Sequence, residues 1–519
     1  MKNIEINKNK KNYRLWEIFP GLLTWITFLV PIILSIYYPF VIASLVILYA
    51  IYWLVKAFIM SGHLIIGYKK YSEDIKKNWL TLCKNSLPKK CWEKIYHVVI
   101  LATYKEDLEI LRHSISALKD SDYPTEKKVI FVLASEERDK ENALKNAKLL
   151  NKEFGSKFKK FITTIHPAHT PGEVKGKGSN ITYAARQMIK YIKKEKIPYE
   201  NVIVTTLDAD NRVHKMYLAN LTYAYLHDKN PTQKSFQPLS MFFNNIWQVP
   251  LIIRSIAVGS SFWQMIESTR PYRLRNFSAH AQSLAGLIKT DFWSTKTIVE
   301  DGHQYWRSYM AFDGNYAVVP LYIPVYQDAV LSPKGYWGTF VEQYLQKRRW
   351  AWGCSDIAYV MTNIIGNSKL PFLNKYVQVL RLIEGHFSWA TISIILAFVG
   401  WMPSLLNPSF RNTVFSYNFP IIYSRILTFA MLGLIVTLTI SLLLLPKKPK
   451  KSLTWSVVLE WILSPILLPV SNIVFSSFPA IDAQTRLMFG KYLDFRVTQK
   501  AVIEEYAKER KKKINNKLN

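Results

Sequence analysis

The spacing of apolar residues changes character three times along the chain. Residues 18–38 are almost wholly apolar, and residues 39–66 are apolar again apart from Lys56. Each run is near the ~20 residues a helix needs to cross a bilayer. Tyr37, Tyr38 and Pro39 predict the turn between them. From about residue 95 the apolar runs shorten to strand length and alternate with amphipathic stretches. Val98-Val-Ile-Leu-Ala102 predicts a buried strand, residues 108–118 a helix, Asp122-Tyr-Pro124 a turn and Val129-Ile-Phe-Val-Leu133 the next strand. Strand, helix, strand at this spacing is a parallel βαβ unit. Further strands are expected at 161–165, 202–207, 235–240 and 317–326, with helices at 181–193, 215–227, around 262–267, from 300 onward and around 344–353. Long apolar runs return at 387–405 and 421–445. A last run, 454–478, carries Glu460, Pro465, Pro469 and Asn472, and either crosses the membrane or enters it and returns. No internal repeat is visible.

This order predicts an α/β fold, a nucleotide-binding domain with a mostly parallel sheet inserted between transmembrane helices. The expected division is a transmembrane hairpin (1–70), a basic linker (71–94), a cytoplasmic domain with interfacial helices (95–375), further transmembrane helices (376–480) and a basic tail (481–519).

Charge fixes the expected orientation. The 519 residues carry a net charge of +31 although 49% of them are hydrophobic, and the lysines crowd beside the apolar runs. Lys8, Lys10, Lys11 and Arg14 precede the first run, and Lys69, Lys70, Lys76 and Lys77 follow the second. By the positive-inside rule both ends of the hairpin are cytoplasmic, and so are the domain that follows, the basic stretch 447–451 and the tail. The chain is therefore expected to be a multi-pass protein of the cell membrane, with membrane lipids around it. A signal peptide would have one shorter apolar region and a cleavage site. Nucleic acid is not an expected partner, because a nucleic-acid binder would leave the apolar runs unexplained. The 3 cysteines (Cys83, Cys91 and Cys354) have neither paired nor zinc-like spacing.

Candidate chemistry gathers where strands end. The strand at 202–207 runs into Asp208-Ala-Asp210 at the carboxyl edge, where open α/β sheets bind ligands. Side chains two apart on an extended segment share a face. Two such carboxylates suit Mg²⁺ or Mn²⁺, whose shell a bound diphosphate could complete, although Asp-x-Asp alone also suits a polar strand exit. The Gly-rich loop Lys175-Gly-Lys177-Gly-Ser-Asn180 opens a helix and favours an anion through backbone N–H groups, lysines and a helix N-terminus. A second acidic pair, Glu300-Asp301, leads a segment with helical spacing. Upstream of it, the stretch from Phe277 through His280, Gln282 and Gly286 could shape an acceptor site. His280 and His303 read equally as ordinary hydrogen-bonded histidines. Gln346-x-x-Arg349-Trp350 stands on a basic, aromatic helix just before the membrane returns.

Asp208-x-Asp210, Glu300-Asp301 and Gln346-x-x-Arg349-Trp350, in this order and between membrane helices, resemble the family 2 membrane glycosyltransferases, the group of cellulose, chitin and hyaluronan synthases. The motifs cover roughly residues 95–375. The resemblance implies a GT-A domain that binds a nucleotide-sugar, with UDP the expected nucleotide. It places Thr103, Tyr104 and Glu106 at the base and ribose, and Glu136 where the family carries an Asp. Lys177 and Asn180 fall at the donor near the sugar, and Asp208 and Asp210 at the diphosphate through the metal. Asp301 is then the general base beside Glu300, with His280, Gln282 and Arg307 toward the acceptor. Gln346, Arg349 and Trp350 lie over the pyrophosphate and the acceptor terminus.

The expected reaction is inverting transfer to an acceptor hydroxyl that extends a glycan. Transfer of a single sugar to a lipid or small acceptor is the nearest alternative. A transporter or scaffold with a degenerate nucleotide domain is the alternative outside enzymes.

Overall fold

The computed structural model describes residues 4–85, 92–446, 462–463 and 467–496. Alternation along the strands sets its layers. In β1 (Tyr96–Ala102), Val98 and Ile100 face one side of the sheet and Val99 and Leu101 the other, and all four are buried. Val99 and Leu101 join Phe131, Leu133, Ile203 and Leu207 against the helices Leu108–Lys119, Lys140–Phe154 and Tyr217–His227. Val98 and Ile100 join Ile130, Val132, Val202 and Val204 against the helix Lys177–Lys194 and Trp293. Covering both faces is what permits strands this apolar. Each such side chain is worth ~1.5–3 kcal/mol of burial.

The remaining strands are β2 (Val129–Glu136), β3 (Lys160–His166), β4 (Val202–Asp208), β5 (Arg212–Val213), β6 (Lys234–Met241), β7 (Ala281–Ser283) and β8 (Ala317–Tyr326). Their order in the sheet is β3-β2-β1-β4-β7-β6-β8-β5. β1 pairs parallel with β2 and β4, β2 with β3, and β6 with β8. The short β7 is antiparallel to both β4 and β6, so β6 runs the same way as β4. β5 is antiparallel to β8. The long strands therefore all run one way, as the expected mostly parallel sheet requires. The chain steps outward from β1 to β2 and β3, then returns to β4 on the other side of β1. That reversal opens a crevice beyond the carboxyl ends of β1 and β4, where Ala102 lies in register with Asp208.

Among the described residues, four helices are long and apolar enough to cross a membrane: Tyr13–Tyr37, Pro39–Asp74, Phe372–Leu406 and Val414–Leu444. Pro39 lacks an N–H and has φ preset for a first turn, so one helix stops at Tyr38 and the next starts at once.

Several elements differ from their expected bounds. The second helix runs on to Asp74, past the expected end at 66, because its last turns pack on the domain through Leu64, Tyr68 and Tyr71. The stretch 71–94 is no plain linker, since it contains the helix Trp79–Asn85, whose Trp79 and Cys83 are buried. The expected boundary at 375 falls inside the helix Phe372–Phe398. β7 was not expected, being three residues long with Gln282 and Ser283 as two of them. Residues 447–451, most of the run 454–466 and the tail beyond 496 lie outside the described residues. Within what is described, the helix Phe478–Met488 docks along the first span, where the Thr24 hydroxyl donates to Gln484 Oε1 at 2.6 Å.

Packing at the start of the helix Lys177–Lys194 is unusually close. A Cβ on Gly178 would stand 2.5 Å from the Ser294 carbonyl oxygen and 3.0 Å from Glu300 Cβ. Gly178→Ala is expected to destabilise by ~1–3 kcal/mol, lowering the thermal midpoint of the detergent-purified protein. Gly259→Ala is the control. Its Cβ would meet nothing within 4 Å, so helix propensity alone should leave the midpoint unchanged or raised.

Candidate active site

β4 ends at Asp208 and the chain turns at once, the Asn211 N–H donating to the Asp208 carbonyl at 3.0 Å. Asp208 and Asp210 therefore do not share an extended face, which corrects the two-residue reading of the motif. Asp208 accepts from the Ser278 hydroxyl through Oδ2 at 2.6 Å and stands 2.9 Å from Lys177 Nζ through Oδ1. Asp210 is turned toward β8, where its Oδ2 accepts the Asp328 backbone N–H at 2.9 Å. Asn244 Nδ2 ties that corner together, donating to the Asp210 carbonyl and to Asp328 Oδ1, each at 3.0 Å. Among the described residues, no three His, Cys, Asp or Glu side chains form a ready ligand set.

Lys177 is the first residue of its helix and gathers the site. Its ammonium lies 3.3 Å from both oxygens of Asp301 and 3.6 Å from Glu300 Oε1, besides its contact with Asp208. The missing side chain at Gly178 lets this turn approach Glu300 closely enough to do so. Burial alone would lower the Lys177 pKa, but Asp208, Asp301 and Glu300 raise it above the ordinary ammonium range. Glu300 moves the other way from a free carboxylate. Burial first, then the charge of Asp301, push its carboxyl up to about 8. The two shifts agree physically, since the lysine keeps its proton and the excess negative charge is relieved at the most buried carboxyl.

The acidic pair divides by exposure. Both residues open the helix Glu300–Ala311, but the Glu300 side chain is 4% exposed and that of Asp301 22%. Asp301 is the more accessible carboxylate of the pair.

Three residues expected toward the acceptor are placed elsewhere. His280 is wholly buried behind Asp301, its Nδ1 3.6 Å from Asp301 Oδ1. Gln282 lies on β7 in a buried network, donating to Ser308 Oγ and Tyr316 OH and accepting from Gln304. Arg307 is buried on the far part of the helix Glu300–Ala311, donating to the Phe292 carbonyl at 2.8 Å and paired with Glu5 at 3.2 Å. These polar side chains sit under the helix because the sheet and N-terminal segment close over them.

At the end of β1, the Thr103 N–H donates to the Ala134 carbonyl, and the Tyr104 ring carries the Arg138 guanidinium 4.3 Å from its centroid. Arg138 also pairs with Glu136, which burial pushes above the usual carboxylate range while Arg138 and His166 oppose the rise. Glu106 follows in the same loop, its carbonyl accepting from Asn146. A cleft of about 280 Å³ opens beside Glu136, lined also by Arg138, His166, His169 and Lys175. Asn180 is buried, its amide donating to the Ala134 carbonyl at 2.8 Å, which fixes the lysine helix to β2.

On the helix Gly335–Ala351, Arg349 faces the Phe495 ring at 5.6 Å, Trp350 packs on Phe242, and Gln346 accepts from Gln343. Phe495 also lies against Gly176, so the segment after the last helix passes between the lysine loop and this helix. Ser278, Asn244, Asp328 and Trp293 were not singled out from sequence. Ser278 stands two residues before His280, and that spacing is the only local cue.

No protein-family model and no curated protein matches the chain. Among solved structures it is similar to residues 1–349 of S. aureus TarS, at 13% identity and a TM-score of 0.34, over 78% of this chain and 94% of that one. A second S. aureus TarS structure is matched at 15% identity and a TM-score of 0.33, over 66% of this chain and 54% of that one. Likeness this remote adds nothing to what the sheet order and the residues themselves show.

The Glu300 shift makes a prediction about stability. A carboxyl whose folded pKa is raised from 4.5 to about 8 stabilises the fold below the lower value and loses that contribution as pH rises through the higher one. In metal-free, donor-free buffer, the thermal midpoint of the wild-type protein should fall relative to Glu300→Gln between about pH 5 and pH 8. Parallel pH curves for the two proteins would remove the buried proton.

Proposed function

We propose that the chain is a membrane-embedded inverting glycosyltransferase of the GT-A kind, moving a sugar from a nucleotide-sugar to an acceptor hydroxyl. UDP is the expected nucleotide and extension of a polysaccharide the expected outcome. The observation that carries this reading is the convergence of Asp208 and Asp301 on Lys177 at the sheet's switch point. It brings a charge site for a diphosphate and an accessible base into one crevice.

The reaction needs few groups. The acceptor oxygen bonds to the anomeric carbon as the bond from that carbon to the diphosphate oxygen breaks, with inversion. Asp301 takes the acceptor proton in the transition state. The bonding electrons leave with the diphosphate, and Lys177 stands where it can stabilise that charge. Thr103, Tyr104, Glu106 and Glu136 line the base and ribose end. Asn180 holds the lysine helix to β2, and Gln346, Arg349 and Trp350 bound the acceptor side. His280, Gln282 and Arg307 act from beneath.

A divalent cation, Mg²⁺ or Mn²⁺, fits the donor set. The groups are hard oxygens, and the Asp208 and Asp301 carboxylates share one ammonium, leaving negative charge that a cation would balance. Asp208 would hold it, with Asp210 next in the turn. When bound, such an ion neutralises charge on the leaving diphosphate. The domain is assigned to the cytoplasmic side of the cell membrane by the basic flanks of the hairpin.

The first test screens detergent-purified protein for UDP release from UDP-glucose, UDP-N-acetylglucosamine and UDP-glucuronate with either metal. Asp301→Asn should lower transfer by roughly 10²–10⁴-fold with donor affinity nearly unchanged. Asp208→Asn should weaken donor affinity itself, as calorimetry would read. Equal loss of donor affinity in both variants would remove Asp301 as the base.

Topology is tested separately. Cys83 and Cys354 are buried, and with Cys91 replaced by Ser, introduced cysteines report cleanly against them. Tyr417→Cys, at a position 76% exposed, should react with an impermeant reagent on intact cells, whereas Lys127→Cys should not. The reverse pattern would place the domain outside, away from a nucleotide-sugar supply.

A further inference from the structure

Three cations follow one another on the helix Gly335–Ala351, and their surroundings differ. Arg348 pairs with Asp482 at 2.8 Å, and Arg349 faces the Phe495 ring. Lys347, partly buried, donates from Nζ to the Ser260 hydroxyl oxygen at 2.8 Å and lies 4.5 Å from the centroid of the Trp350 ring. The Ser260 proton is already given to the Ile256 carbonyl at 2.7 Å, so its oxygen serves the lysine purely as an acceptor. An ammonium has three donors to satisfy. Among the described residues, Lys347 meets one neutral oxygen and one ring face, and no carboxylate pairs with it. A lysine withdrawn from water is as a rule paired. Burial pushes the Lys347 pKa down to about 7, with no nearby carboxylate to hold it up.

The surface around this amine is joined to the crevice at both ends. Trp350 packs on Phe242, which follows β6 directly and donates its N–H to Ser261 Oγ at 3.1 Å. Two residues on, Asn244 ties the Asp210 carbonyl to Asp328. In the other direction, Trp263 lies three residues from Ser260 on one face of the helix Leu251–Ser268. Its ring is 43% exposed and stands edge-on to Phe277 at 5.2 Å between centroids. Phe277 precedes Ser278, whose hydroxyl donates to Asp208. Two aromatic rings, a hydroxyl and an amine without a counter-charge thus flank the turn that carries Asp208 and Asp210. Ring faces pack on the C–H surface of a sugar, and an ammonium selects an anion.

We propose that Lys347 forms, with Ser260, Trp263 and Trp350, a subsite for an acidic glycan, its ammonium pairing with a uronate carboxylate on the acceptor chain. This rests on the reading of the helix bearing Gln346, Arg349 and Trp350 as the acceptor side of a glycosyltransferase. A single ammonium matches the single charge that one uronate ring brings. The arriving carboxylate supplies the counter-charge that the protein leaves out, and a charge-assisted hydrogen bond of this kind is worth ~10–100-fold in affinity.

The test measures binding by calorimetry on full-length protein in non-ionic detergent, with no donor present. The probes are tetramers of α-1,4-galacturonate and of β-1,4-glucuronate, each beside its methyl ester, which keeps rings and linkages and removes the charge. In at least one pair the acid should bind ~10–100-fold more tightly than the ester. Lys347→Met should bring the acid down to the level of the ester and change ester binding less than ~2-fold, whereas a lysine that merely packs would move both together or neither. Lys347→Arg keeps the charge and should keep most of the preference. In phosphatidylcholine nanodiscs, added phosphatidylglycerol should leave the preference in place.

Equal binding of acid and ester in both pairs, or an undiminished preference in Lys347→Met, would overturn the proposal. So would loss of the preference on adding phosphatidylglycerol, which would make this a site for a lipid headgroup. If Lys347→Met fails to fold, Lys347→Gln is judged by the same criterion. Because binding is read without turnover, the two levels separate. Nucleotide release from a UDP-sugar beside equal binding of acid and ester overturns only the subsite. No release from any of the three donors beside a preference that depends on Lys347 overturns the transferase reading and leaves an acidic-glycan site standing.

Discussion

One buried ammonium shared by three carboxylates sets the conditions for the rest of the site. Lys177 comes from the helix packed on one face of the sheet, Asp208 from the central strand, and Glu300 and Asp301 from a helix that begins more than a hundred residues later in the chain. Removing that charge would leave Asp208, Glu300 and Asp301 without the cation they share. The lysine thus holds the three elements at one point before any ligand arrives. An anionic ligand would find that charge preplaced, with no rearrangement needed to deliver it.

The loop after β7 and its helix, residues 290–299, is the second point of convergence. The Trp293 indole reaches His280, the Thr295 carbonyl accepts from Val174 N–H at 2.7 Å, and Ser294 donates to Glu5. Glu5 in turn pairs with Arg307, and the Ile4 carbonyl accepts from the Tyr359 hydroxyl at 2.6 Å. The few residues ahead of the first long apolar helix are therefore built into the α/β domain. That segment, the helix at Glu300 and the lysine helix share one set of contacts.

Much of this was legible in the sequence where the physics is local. Short apolar runs in β1, β2 and β4 identified the strands, and the acidic ends of β4 and of the helix at Glu300 marked the crevice. Pro39 marked the break between the spans. What stayed hidden depends on long-range pairing. Nothing near Asp210 reveals that its carboxylate turns to the Asp328 N–H, because that contact joins residues 118 apart. Gln282 and Arg307 look like site residues by type, and only the closing of the sheet and the N-terminal segment over them shows that they are buried. The burial of His280 is equally invisible, since the Trp293 indole that donates to its Nε2 lies 13 residues away.

The second membrane helix has a consequence for where chemistry can occur. Its 36 residues make it ~54 Å long, against a hydrocarbon layer of ~30 Å. The excess, more than 20 Å by the same arithmetic, is gripped by the domain. Gly67 has no room for a Cβ beside Met265, and Lys70 donates to the Tyr322 hydroxyl at 3.3 Å. With this helix across a bilayer, it would act as a ruler that sets the height of the sheet above the lipid. On the proposed function, a lipid-anchored acceptor would have to reach up to that level, so the length of its exposed portion would become a criterion of selection, independent of the sugar.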